Sequence, residues 1–583
     1  MHMPRRPSVA APGVFRTPRG TTAESPSKGT EPVSRPRSTP RPPAAPRLPG
    51  RILGALLLVG AVGVCGVGAA PASGAEQPAP VPLGRVIPAP SSVQAEGPGY
   101  EITEGTQIRV GGEDGGEGGD ARRVGDYLAD VLRPSTGHPL PVTEDSGNDG
   151  IRLELSPDES DLGEEGYRLE SGDEAVTITA REPAGLFHGV QTLRQQLPAS
   201  VEQDTEQPGP WQVAGGTIED VPRYAYRSAM LDVSRHFFSP DKVKRYIDQL
   251  ALYKINKLHL HLSDDQGWRI AIDSWPRLAE YGGSTQVGGG EGGYYTKAEY
   301  KDLVKYASSR NLEVIPEIDL PGHTNAALAS YAELNCDGVA PPLYTGTEVG
   351  FSSLCVDKEI TYDFVDDVIR EIAELTPGKY LHIGGDEAHS TTHEDYVAFM
   401  NRVQPVVGKY GKTVVGWHQL TAATPVEGAV AQYWGYDATS AEERKQVADA
   451  GKNGTGVVLS PADRSYLDMK YDEDTPLGLS WAGLVEVDRS YDWDPASYLE
   501  GLPEDAVLGV EAPLWSETLS ESDEVEFMAF PRLPGIAELG WSPAGSHSWD
   551  EYKARLAEQG ARWDALGINY YRSPVVPWPA AGD

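Results

Sequence analysis

The sequence predicts an α/β protein whose main body is a closed (β/α)8 barrel, preceded by a smaller α+β domain. Three observations predict it. From about residue 224 onward eight short apolar runs recur, most of them followed by a helical stretch. Repeated strand-then-helix units imply parallel strands with right-handed crossovers, and eight of them suit a closed barrel. Polar and aromatic residues collect at the ends of those runs, where a barrel gathers its chemistry. Before residue 220 the chain instead mixes period-two alternation with a few helical patterns.

In chain order, residues 1–75 read as a leader. Residues 1–51 hold ten Lys or Arg against Glu24 and Glu31, 52–70 carry no charge, and Ser73-Gly74-Ala75 supplies small residues. That is the order of an export signal, so secretion is expected. An uncleaved membrane anchor through 52–70 is the alternative, since such a run is long enough to span a bilayer. Residues 76–90, rich in Pro and Ala, read as a linker, and 91–220 as the small domain, with strands at 107–110, 151–155 and 175–180 and helices at 121–132 and 184–197. The Gly-rich acidic stretch 111–119 lacks the Lys-Ser/Thr of a phosphate cradle and reads as a flexible loop. The catalytic barrel is assigned to 221–583, with strands at 228–232, 257–262, 312–318, 380–383, 413–417, 429–433, 456–459 and 506–510.

Composition narrows the function. Hydrophobic residues make up 39% and charged residues 23%, enough apolar material to exclude global disorder. The net charge of -36 counts against nucleic acid as a partner. Three cysteines are too few for a disulfide-dense scaffold. If Cys65 leaves with the leader, Cys336 and Cys355 remain, and export favours a disulfide between them over two buried thiols.

The strand ends carry Arg235, Asp264-Asp265, Asp319 with His323, Asp386-Glu387, Trp417, Trp434, Tyr466 with Asp468, and Trp515 with Glu517; Trp481 sits in a Gly-rich loop. Carboxylates and Arg among indoles suit sugars, whose C–H faces stack on rings while their hydroxyls take hydrogen bonds. Asp386-Glu387 follows Gly384-Gly385 at the end of an apolar strand. Two adjacent carboxyls raise at least one pKa by repulsion, which a general acid needs near neutral pH. Neighbours on one strand end are poorly placed to attack from opposite sides of a bond, and suit instead a substrate that supplies its own nucleophile. His259 and His261 share a strand face and, with Asp319 and His323, raise the alternative of a metal-dependent hydrolase; buried structural histidines are the competing reading. A non-catalytic glycan-binding protein is the other alternative.

Four motifs, Leu-His-Ile-Gly-Gly-Asp-Glu (381–387), Leu-His-Leu-Ser-Asp-Asp-Gln-Gly-Trp (260–268), Ile-Pro-Glu-Ile-Asp-Leu-Pro-Gly-His (315–323) and Asp-Val-Ser-Arg-His-Phe (232–237), resemble family 20 glycoside hydrolases, the β-N-acetylhexosaminidases, especially secreted bacterial ones. Glu-Gly-Tyr-Arg-Leu (165–169) and Ala-Gly-Leu-Phe-His-Gly-Val-Gln-Thr-Leu (184–193) extend the resemblance into the small domain. It implies an exo-acting retaining hydrolase of terminal β-linked N-acetylglucosamine or N-acetylgalactosamine, working through an oxazolinium intermediate without cofactor or metal. It implies Glu387 as acid and base, Asp386 and Tyr466 on the substrate acetamido group, and Trp417, Trp434 and Trp515 around the terminal sugar. It also implies Arg235, Glu517 and Asp468 on hydroxyls, Trp481 under the next sugar, and Asp264, Asp319 and His323 behind the catalytic pair. The partners implied are oligosaccharides ending in N-acetylhexosamine.

Overall fold

The computed structural model describes residues 79–111, 119–144 and 147–579. The leader 1–75 and nearly all of the acidic Gly-rich stretch lie outside the described residues. Among the described residues no helix is long and apolar enough to cross a membrane.

The small domain is a seven-stranded mixed sheet with two helices. Its elements are β1 (Ser92–Ala95), β2 (Tyr100–Ile102), β3 (Ile108–Gly111), α1 (Asp120–Thr136), β4 (Val142–Thr143), β5 (Gly150–Leu155), β6 (Tyr167–Ser171), β7 (Ala175–Ala180), α2 (Pro183–Gln195), β8 (Trp211–Val213) and β9 (Gly216–Asp220). The sheet order is β1-β9-β6-β7-β5-β3-β4, and β2 pairs separately with β8. Alternation explains the burial: Val176, Ile178 and Ala180 of β7 point inward, while the residues between them are partly exposed. Residues 79–90, whose composition suggests a linker, pack closely. Val86 and Ile87 are fully buried, and the Ile87 N–H donates to Gln195 Oε1 at 3.0 Å.

The barrel closes through eight parallel strands, β10 (Tyr226–Asp232), β11 (Lys257–His261), β14 (Glu313–Glu317), β15 (Tyr380–His382), β16 (Thr413–Trp417), β17 (Val430–Tyr433), β18 (Gly456–Leu459) and β19 (Val507–Leu514). A two-residue hairpin, β12 (Ser263–Asp264) with β13 (Gly267–Trp268), leaves β11 at the mouth. All eight expected strands are present, with ends shifted by a few residues. Tyr226, Ile315, Val415, Val430 and Val458 form one apolar cluster. Glu317 and Gln432 stand one pleat further along β14 and β17, and with His259, His382 and Glu511 from β11, β15 and β19 they are all buried. The period of two therefore stacks a polar interior layer between an apolar plug and the mouth.

Two ion pairs, one fully buried and one partly so, fasten the small domain to the barrel. Lys254 Nζ lies 2.8 Å from Asp220 Oδ2, with neither side chain exposed. Arg227 Nη2 lies 2.7 Å from Glu165 Oε1. Asp220 also accepts from Tyr167 Oη at 2.7 Å and from Trp541 Nε1 at 2.9 Å. A buried carboxylate with this many donors has its desolvation offset.

Cys336 and Cys355 form a disulfide that closes a loop 19 residues apart in sequence. Replacing Cys355 with Ser is expected to lower unfolding stability by about 3 kcal/mol, the chain-entropy value for a loop of this length. Denaturant midpoints of the oxidised wild type and the variant, compared at equal slope, check it.

Candidate active site

Local chain chemistry puts the adjacent acids at one mouth. Strand β15 stops at His382 because Gly384 and Gly385 take positive φ, 65° and 106°. A Cβ on Gly384 would sit 1.7 Å from Asp319 Oδ1, so only glycine fits there. Glu387 itself has φ 44°, a left-handed conformation costly for a non-glycine residue. This turn lets both carboxyls face the same cavity.

That cavity, of about 420 Å³, is lined by Arg235, His323, Asp386, Glu387, Trp434, Tyr466, Asp468, Trp481, Trp515 and Glu517, among others. A larger groove of about 760 Å³ runs beside α1 and the helix Pro240–Leu252, but its cations are paired: Arg310 with Asp248 at 2.8 Å, and Arg194, Lys244 and Arg245 with Glu202, Asp302 and Glu526. The chemistry lies in the smaller cavity.

Behind the acids runs a chain of alternating imidazoles and carboxylates. His323 Nε2 lies 3.5 Å from Glu387 Oε2 and 3.7 Å from Asp386 Oδ2, and His323 Nδ1 is 3.2 Å from Asp264 Oδ1. Asp264 Oδ2 meets Arg235 Nη2 and His261 Nε2, each at 2.8 Å. His261 Nδ1 lies 2.6 Å from Glu317 Oε2. Glu317 is a hub: His259 Nε2 and His382 Nδ1 each approach it to 2.9 Å. Burial opposes the charge on His323, yet Asp264 and Asp386 outweigh it and push its pKa well above the usual imidazole value. Burial would likewise raise Asp264, but Arg235 and His323 hold it well below the carboxylate range.

Burial is the main cause that raises Asp386 to about 6; the Glu387 charge adds to it and His323 opposes it. Burial and the Asp386 charge push the Asp319 pKa well above the usual carboxylate value. Asp319 Oδ1 accepts from the Gly385 N–H at 3.0 Å, so it holds the catalytic turn as well. Burial, Asp386 and Asp468 raise Tyr466 well above the phenol range, which leaves it a neutral donor. Asp386 Oδ1 and Asp468 Oδ2 are buried with no hydrogen-bond partner among the described residues. An unpaired buried acceptor is costly, so both suit a ligand N–H or O–H.

The indoles form the apolar wall. Arg235 stacks 4.7 Å over Trp515, and Trp481 stands edge-on to Trp434 at 6.0 Å and to Tyr466 at 5.9 Å. Arg532 fixes the loop that carries Tyr466 and Asp468, donating to Leu467 O at 2.5 Å and Met469 O at 2.7 Å. Three residues expected at the site stand off the wall. Asp264 and Asp319 sit behind the acids, and Trp417 is fully buried between His382, at 5.0 Å, and Trp515, at 5.7 Å.

The histidines that raised the metal reading are buried and held by carboxylates. His259 lies between Glu317 and Glu511, and His261 between Glu317 and Asp264, so both nitrogens of each ring face an acid. Burial lowers the pKa of each, but those acids prevail: His259 rises to about 9 and His261 well above its usual value.

Sequence reasoning missed Thr347, Val349, Tyr436 and Leu479 on the wall, and Glu317 beneath it. Tyr436 follows Trp434 by two residues and could have been found; Thr347 and Val349 lie in a loop with no periodic signal.

The model of the glycosyl hydrolase family 20 catalytic domain matches residues 224–544, and that of domain 2 of the same family matches 84–221. A β-N-acetylhexosaminidase of Cellulomonas fimi is 41% identical over 85% of this chain and 98% of its own length. The solved GH20 β-N-acetylhexosaminidase of Streptomyces coelicolor A3(2) is 73% identical over 86% of this chain and all of that one, with a TM-score of 0.84. A mutant Streptomyces plicatus β-hexosaminidase in complex with product (GlcNAc) is 72% identical over 86% of this chain and 99% of that one, with the same TM-score.

Proposed function

Because the chain belongs to glycosyl hydrolase family 20, we propose that its cavity residues carry out that family's reaction in the following roles. The enzyme is an exo-acting, retaining β-N-acetylhexosaminidase that works by substrate-assisted catalysis. The observation that carries the assignment of roles is the convergence of Asp386, Glu387 and Tyr466 on one small cavity, with Asp386 Oδ1 buried and unpartnered.

Glu387 gives its proton to the glycosidic oxygen as the bond to the anomeric carbon breaks. The substrate's acetamido oxygen forms the new bond to that carbon, which gives a bicyclic oxazolinium. Asp386 accepts the acetamido N–H and faces the growing positive charge; the neutral phenol of Tyr466 donates to the acetamido oxygen. Glu387, now a carboxylate, takes a proton from water as that water attacks the anomeric carbon, and the acetamido group is restored. Groups fixed in place before the charge develops need no reorganisation when it does. His323, held by Asp264, steadies the Glu387 carboxylate.

Arg235, Asp468 and Glu517 bind ring hydroxyls. Trp434 and Trp515 flank the sugar, Trp417 supports them from behind, and Trp481 lies under the residue next in line. The substrates are oligosaccharides with a terminal N-acetylhexosamine. Export through the leader, with cleavage near residue 75, completes the reading. The basic–apolar–small order of the leader supports it, as does the disulfide, which an oxidising compartment favours.

A thiazoline analogue of the bicyclic intermediate tests the mechanism. It is expected to compete with substrate and to bind at least about 100-fold more tightly than N-acetylglucosamine, as transition-state-like ligands do. Equal affinities would overturn the proposal.

A further inference from the structure

The loop closed by Cys336 and Cys355 carries an aromatic pair that the assignment above does not use. The Phe351 ring is 45% exposed, although large apolar side chains are mostly buried in this fold. The Tyr344 ring backs it, with centroids 4.6 Å apart and planes inclined at 58°. Two residues before Phe351, Val349 is 40% exposed and lines the catalytic cavity together with Thr347. Trp481, 46% exposed, stands on the same cavity wall.

This loop is held rather than loose. Gly346 O accepts from Gln266 Nε2 at 2.9 Å, Thr345 O from the Gly288 N–H at 2.9 Å, and Tyr344 Oη from the Glu348 N–H at 2.8 Å. Gly350, at φ 78°, packs against the catalytic turn: a Cβ there would lie 2.3 Å from His389 Nδ1 and 3.2 Å from the Glu387 carbonyl oxygen. Ser352 Oγ donates to Asp265, and the Leu354 N–H to Pro321 O at 3.0 Å. The exposed ring therefore sits on a frame tied to the catalytic strand ends and loses little freedom when covered.

We propose that Phe351, backed by Tyr344, is a stacking platform for a sugar beyond the one attached directly to the scissile bond. The ligand class is a β-linked oligosaccharide of three or more residues. The inference rests on the exo-hydrolase reading. A cavity of about 420 Å³ takes one terminal ring, so the rest of the chain leaves past its rim. Val349 and Thr347 form part of that rim, and Phe351 continues it along the same loop. The C–H face of a pyranose and an exposed phenyl ring are natural partners, and contacts of this kind are worth about threefold to tenfold in affinity.

The test compares kcat/KM for an aryl N-acetyl-β-glucosaminide, the β-1,4-linked N-acetylglucosamine dimer and the trimer, in wild type, Phe351→Ala and Phe351→Tyr. The wild type is expected to favour trimer over dimer by about threefold to tenfold. Phe351→Ala is expected to abolish that preference while it hydrolyses the aryl glycoside within about twofold of wild type; Phe351→Tyr keeps the preference. A wild type without the preference, or one in which Phe351→Ala leaves it intact, overturns the platform. Loss of aryl activity in Phe351→Ala would mark a damaged fold, and Phe351→Tyr against Tyr344→Ala then decides through the same ratio. Failure of the wild type on all three substrates would overturn the hydrolase reading instead, so the two failures are distinct.

Discussion

Replacing Glu387 with Gln is expected to lower kcat/KM for the N-acetylglucosamine dimer by about 10²–10⁴-fold, the range for loss of a general acid. The amide keeps the shape of the side chain but has no proton to give to a departing sugar oxygen. An aryl glycoside with an activated leaving group needs little protonation, so its bond-breaking step falls less. Its second step still needs a base, and its intermediate therefore accumulates. The Glu387 side chain is 29% exposed and is not part of the core, so thermal stability should change little. Steady-state rates on both substrates, with a burst measurement on the aryl glycoside, check this. Equal dimer rates in wild type and variant would remove Glu387 from the reaction.

Exchanging the substrate's 2-acetamido group for a plain hydroxyl is expected to cost more than about 10³-fold in kcat/KM, because the attacking oxygen itself is lost. Intramolecular nucleophiles in good alignment reach effective molarities of about 10⁵ M or more. Neither Asp386 nor its neighbour can replace it from the same strand end. The matched aryl β-glucoside and N-acetyl-β-glucosaminide, assayed side by side, give the answer, and comparable rates would contradict the mechanism. The same pairing carries a pH signature. With its pKa raised to about 6, Asp386 is protonated below that pH and cannot face the developing cation as an anion. The kcat/KM of the acetamido substrate should therefore fall about tenfold per pH unit on the acid side of 6, and rise as the acid ionises.

Much of the barrel was legible because its strands are short apolar runs bounded by turn residues, and because closure brings their ends together whatever their spacing in sequence. The catalytic acids were legible for a local reason: Gly384 and Gly385 announce a sharp turn before them. Glu317 was not. A glutamate inside Ile-Pro-Glu-Ile-Asp looks like one more polar residue near a strand end. Its three imidazole partners come from positions 259, 261 and 382, and only the register of β11, β14 and β15 brings them together. Trp417 is a different case. Its place at a strand end put it among the rings around the sugar, and the structure buries it fully, beside Trp515. Val349 belongs to a loop whose path is set by a disulfide and by backbone hydrogen bonds, neither of which leaves a periodic trace.

The Lys254–Asp220 pair has a consequence for how this protein can be dissected. Both groups are wholly enclosed at the seam, and each comes from a different half of the molecule. Removing the small domain would take Asp220 and Tyr167 away from Lys254 and uncover the apolar surface of the seam. The barrel expressed by itself is therefore expected to be less stable than the full chain, which a comparison of their denaturation midpoints checks.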